Sequence, residues 1–147
     1  NIPDWVPKQL GDTIPGRNKY DEVMSEIVAE CRKKCASEDD IFYIIASLKS
    51  DKNTKSHEIA HGLYYINELY RFDMDKLVRN LPTNLKKMMK AKLKEMGYDT
   101  SVYTDEMQAY LSTGLNPLGR EFVKKIFEHI DRSTVMEFEN VFKKYAK

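Results

Sequence analysis

At 147 residues the chain is long enough for one compact domain, whereas two independent domains would each be short of core. Apolar residues at 41% and charged residues at 32% exclude a disordered chain. Lys plus Arg totals 24 against 23 for Asp plus Glu, a balance that leaves no electrostatic footprint for nucleic acid and no basic patch for a membrane surface.

No apolar run approaches the length that crosses a bilayer, and none resembles a secretory signal, so a cytoplasmic protein is the expectation. The chain begins at Asn1 rather than Met, which fits a leader or upstream segment having been removed. Nothing in the sequence indicates an oligomeric state. Cys31 and Cys35 stand four apart in a helical pattern, where neighbouring thiols rarely bridge, and they read as reduced core thiols.

In chain order, residues 1–18 hold three of the five prolines and read as an extended arm packed by Trp5 and Val6. A helix is expected over about 19–37, where Tyr20, Val23, Met24, Ile27, Val28 and Cys31 recur at helical spacing. Ile41-Phe42-Tyr43-Ile44-Ile45-Ala46 is the one run that reads as a β-strand, and a partner for it is expected in residues 1–14 or 98–103. The polar stretch 49–54 reads as a loop. Residues 55–70 return to a helix with little solvated face, expected to be central. Shorter helices are expected over 73–80 and over 83–96, the latter entered through Pro82 and stopped near Gly97. Another covers about 103–112, ending near Gly114. Pro117 opens one that runs to about His129, and Ser133 or Thr134 caps a last helix to about Tyr145. The expected fold is α+β: a single helix-rich domain over 1–147, with a small sheet beside the central helix.

That central helix carries His57-Glu58-Ile59-Ala60-His61. Histidines four apart project from one helix face, one turn apart, so two imidazole nitrogens can reach one Zn²⁺. Glu58 lies about 100° around the helix from His57, beside the metal but outside its ligand set. There it can accept a proton from a metal-bound water and deliver it to a leaving amine. The bland alternative is a buried helix with two hydrogen-bonded histidines and a coincidental glutamate, an arrangement that is costly without a purpose. Gly62, directly after the motif, would let another element approach closely.

A third ligand must come from another segment. Glu68 lies seven residues past His61, ~10 Å along the axis, too far to share the ion. Thr104-Asp105-Glu106-Met107-Gln108-Ala109-Tyr110 is the better source. Glu106 is the expected ligand, and Tyr110, at i,i+4 from it, would present a supporting hydroxyl. Asp105 is the alternative ligand, and a further alternative is that both acids merely favour a helix N-terminus. A peptidase also needs an oxyanion donor, for which Tyr103, Tyr110, His129 and Arg120 are candidates.

The H-E-x-x-H motif resembles that of the zincin metallopeptidases, and with Glu106 downstream it resembles their gluzincin branch, including its small single-domain members. The resemblance spans about Ile41 to Leu111. It implies two His ligands, one Glu ligand, a catalytic Glu and a water on one Zn²⁺. The metzincin branch does not fit, since its longer motif would want Gly at Tyr64 and His at Asn67. Familiar gluzincins carry an Asp four residues after the ligand Glu, bonded to the first His; here that place is Tyr110.

The expected function is therefore a zinc-dependent peptidase acting on a peptide or protein substrate, with no nucleic acid or membrane partner. The alternatives are a metal-stabilised binding or regulatory domain without turnover, and a helical interaction domain without metal. The lysines from Lys86 to Lys94 read as a solvated helix face.

Overall fold

The computed structural model describes residues 2–3, 18–37, 39–47 and 52–147, of which 76% are helical. The α+β expectation is overturned: the described residues form an all-α protein with one lone strand pair. Ile2–Pro3 (β1) runs antiparallel to Tyr43–Ile44 (β2), with Ile2 opposite Ile44 and Pro3 opposite Tyr43. The partner does come from 1–14, but Pro3 has no N–H to donate, and the ladder stops at two residues. Only Tyr43 and Ile44 of the six-residue apolar run are strand. The expected arm around Trp5 and Val6 lies outside the described residues, as do residues 49–51 of the polar stretch.

The chain divides into two compact units, Asn1–Ala46 and Ser47–Lys147. In the first, Lys19–Lys34 forms helix α1, opened by a capping box between Asn18 and Asp21 and ending in Arg32, Lys33 and Lys34. Arg32 donates to the Asp40 carbonyl at 2.6 Å and lies over the Phe42 ring. Cys31 and Cys35 are free thiols, but they are half-buried rather than core residues. The apolar stripe of α1 is likewise largely exposed, with Tyr20 at 72% and Val23 at 52%.

The second unit holds α2 (Lys52–Ile66), α3 (Glu68–Asn80), α4 (Thr83–Glu95), α5 (Tyr103–Thr113), α6 (Arg120–Phe127) and α7 (Arg132–Tyr145). The helix expected over 55–70 is in fact two. Asn67 adopts an extended conformation and its side chain accepts from the Tyr70 amide, which ends α2 and caps α3. The span 98–103, offered as a strand partner, holds a 3₁₀ turn over Thr100–Val102. A second 3₁₀ turn over Asn116–Leu118 contains Pro117 and separates it from α6. The cap of α7 is Asp131, not Ser133 or Thr134: its carboxylate accepts from the Thr134 amide and from both hydroxyls.

The core of this unit includes Tyr70, Met74, Leu85, Met89, Leu93, Met107, Leu111, Ile126 and Phe138. Helix α5 is its centre, with eight consecutive-or-near residues buried from Tyr103 to Ser112, and it packs on both α2 and α7. Fully buried Ala60 on α2 and Ala109 on α5 keep side chains small where those helices meet. That crossing positions the site. No helix among the described residues is long and apolar enough to cross a membrane.

Candidate metal centre

Helix α2 sets the first half of the site. With one helical turn between them, the His57 and His61 rings stand edge to face, 4.7 Å between centroids, and their Nε2 atoms lie 3.1 Å apart. Helix α5 brings the other half. Glu106, in its first turn, places Oε2 3.6 Å from His57 Nε2 and Oε1 3.5 Å from His61 Nε2. One ligand atom from each of the three residues can be chosen so that all lie within 4.8 Å of one another. Ligands held ~2.0–2.2 Å from an ion at tetrahedral angles sit roughly 3.3–3.6 Å apart, so the spacing fits a small ion at its centre. Two imidazoles and a carboxylate form a donor set suited to a transition metal rather than to Ca²⁺ or Mg²⁺, which prefer oxygen.

The outer nitrogens decide what these atoms offer. His61 Nδ1 lies 2.9 Å from Asp105 Oδ1, an acceptor, so Nδ1 carries the proton and Nε2 keeps its lone pair. His57 Nδ1 faces Thr113 Oγ1 at 3.4 Å; that hydroxyl spends its own proton on the Ala109 carbonyl at 2.7 Å. It can only accept from His57, which leaves the Nε2 lone pair of His57 free as well. Glu106 Oε2 is buried without a hydrogen-bond partner. Three lone-pair donors thus converge on one point, an arrangement unfavourable in itself and satisfied by a cation.

A chain of buried hydrogen bonds holds Asp105. Gln108, fully buried, donates from Nε2 to Asp105 Oδ1 at 2.9 Å, and its Oε1 accepts from the Tyr70 hydroxyl at 2.7 Å. Burial alone would lower the His61 pKa, but the Asp105 hydrogen bond and charge, with Glu106 and Glu58 behind them, raise it above its ordinary value. The protein has built an environment that welcomes positive charge at His61.

Of the other residues singled out in the sequence, Glu58 is half-buried and its charge acts on both His61 and Tyr110. Tyr110 lays its ring against His57, 4.6 Å between centroids, while its hydroxyl pairs with that of Tyr98 at 3.1 Å. Burial and that hydrogen bond keep the Tyr110 phenol protonated. Tyr103 is buried in the core at the start of α5. His129 is exposed after α6, lining a depression with Leu77, Pro82 and Asp131, and Arg120 is exposed at the start of α6. Glu68 points to solvent from α3, its side chain 91% exposed. Asp105, considered in the sequence as a ligand, instead holds His61. The part played by Thr113 was not anticipated; its position seven residues past Glu106, two turns along the same face, was the available signal.

Comparison with protein-family models, with curated proteins and with solved structures finds no match to this chain.

Proposed function

We propose that the chain is a zinc-dependent hydrolase of the gluzincin type that cleaves peptide bonds in a peptide or protein substrate. The observation that carries this reading is a group of three protein donors, not four, among the described residues. Three donors leave a tetrahedral ion one position for water or substrate, which is the pattern of catalytic rather than structural zinc. When bound, zinc would lower the pKa of a coordinated water and polarise a carbonyl.

The chain's own residues supply the rest. His61 is braced by Asp105, and His57 by Thr113, so neither imidazole needs to reorient to bind. Glu58 follows the first ligand in sequence and is close enough to His61 to bias its protonation. Its carboxylate takes the proton of the attacking water and returns it to the leaving amine.

A second reading, a metal-stabilised binding or regulatory domain without turnover, draws on the corrected fold. An exposed strand edge is a common way to align a substrate backbone, and the unit that carries this centre has no strand among its described residues.

Glu58→Gln separates the two. It keeps the size and hydrogen-bonding capacity of the side chain and removes its basicity. Zinc content and folding should be unchanged, while hydrolysis of an unfolded-protein or mixed-peptide substrate should fall by at least ~10²-fold. Equal cleavage by the wild type and the variant would refute the mechanism.

A further inference from the structure

The two helices that hold the metal centre also wall a cleft of about 650 Å³. Tyr64, which lines it, is one turn past His61 on α2; Thr104 and Met107, which line it too, flank Asp105 and Glu106 on α5. Its far wall is basic. Arg79 from the end of α3 meets Lys86, Lys87 and Lys90 from α4, because the short Leu81-Pro82 connection folds one helix back beside the other.

Four cations here face one carboxylate, Asp75, which accepts a hydrogen bond from the Tyr64 hydroxyl. Lys86 Nζ donates to the Arg79 carbonyl at 2.6 Å, which holds its ammonium beside the others. Among the described residues, Arg79, Lys87 and Lys90 form no ion pair. In a chain of net charge +1 this is a local concentration of positive charge. Lys86 and Lys90 at i,i+4, and Lys87 and Lys90 at i,i+3, repel along one helix face, a cost that an anionic partner would relieve. The lysine run is therefore more than the solvated helix face read from its sequence.

We infer that this cleft binds an acidic segment of the protein chain on which the metal centre acts. Its volume lies within the ~300–1,000 Å³ of ordinary ligand clefts, enough for a short stretch of peptide whose carboxylates pair with Arg79, Lys87 and Lys90. A nucleic-acid backbone fits less well, since it needs a basic stripe beyond a single cleft and would meet Asp75. That the bound chain is the one on which the centre acts rests on the hydrolase reading; the binding does not.

The test is fluorescence anisotropy on the full chain, zinc-loaded and zinc-stripped, with three labelled probes: a Glu-rich decapeptide, its Gln-rich counterpart, and a single-stranded oligonucleotide of equal charge. The Glu-rich peptide should bind most tightly, with or without zinc, and weaken as salt rises. Lys87→Glu with Lys90→Glu should weaken it by at least about tenfold, and the milder Lys87→Gln with Lys90→Gln by an intermediate factor, with unchanged circular dichroism. Equal affinity for the Glu and Gln peptides, indifference to the charge reversal, tighter oligonucleotide binding, or loss of binding on stripping zinc would each overturn the inference. Failure of the hydrolase reading would register separately, in zinc content and in the Glu58→Gln comparison.

Discussion

Removing the carboxylate of Asp105 tests whether the outer nitrogen of His61 governs the proposed metal centre. The Asp105 side chain is 25% exposed and accepts from His61 Nδ1 at 2.9 Å. A hydrogen bond to a charged group is worth ~1.5–3 kcal/mol net, and loss of such an outer partner typically costs 10–100-fold in metal affinity. The two ranges overlap near ~2 kcal/mol, so Asp105→Ala should bind zinc roughly 30-fold more weakly. Asp105→Asn should lose less, because an amide oxygen can still accept from both His61 and Gln108. Competition against a chelator of known affinity measures this, with circular dichroism to confirm the fold. The acid limb gives a second signature. His61 binds metal only when Nε2 is unprotonated, and its pKa is raised largely through Asp105, so wild-type affinity falls as pH drops through that raised value. In Asp105→Ala that limb should move to lower pH even as affinity at neutral pH declines. Affinity within twofold of wild type, or an unmoved limb, would refute the argument.

Other expectations follow from particular residues. His61→Ala should lose zinc, and Glu106→Ala should weaken it far more than Glu68→Ala, read by metal content after dialysis; equal effects at the two glutamates would mean the third ligand is misassigned. Gly114 ends α5 at φ 136°, with open space where a Cβ would stand. Gly114→Ala should therefore destabilise through the backbone alone, by ~1–3 kcal/mol in urea unfolding. Asp131 is held below its ordinary pKa by hydrogen bonds from Ser133 and then Thr134. Its cap contribution is present above the unfolded-state pKa and is lost as pH falls through the lowered folded value. Asp131→Asn should flatten that acid limb of stability while retaining the cap.

The parts of the molecule legible in the sequence are those set by local chemistry. Pro82 and Gly97 bracket α4, and Gly114 closes α5, because proline and glycine act within a turn of where they stand. The His57–His61 spacing is likewise local to one helix, and with Glu68 excluded on distance the acidic pair Asp105-Glu106, with Tyr110 at i,i+4 from Glu106, marked the segment of the third donor. The place of the strand and the source of its partner were legible, but its length was not. A six-residue apolar run cannot be told from other half-buried chain by periodicity, and its partner turned out to include a proline that limits the ladder. Nor could Asn67 be seen to split the central helix, since the apolar spacing runs on through Leu69 while the side-chain cap decides the break. The roles of Asp105 and Thr113 depend on how α2 and α5 cross, which no spacing within either helix encodes.

The converging lone pairs of His57, His61 and Glu106 carry an implication for the metal-free protein. Folding alone brings together two nitrogens and a buried carboxylate oxygen that repel one another, so this corner of the core is frustrated by construction. Replacing all three with apolar residues of similar volume would make a metal-free chain more stable than the natural one, as buried charged groups elsewhere suggest. That deficit is the counterpart of readiness: because the donors already stand at their working distances, little of an ion's binding energy is consumed in rearranging them.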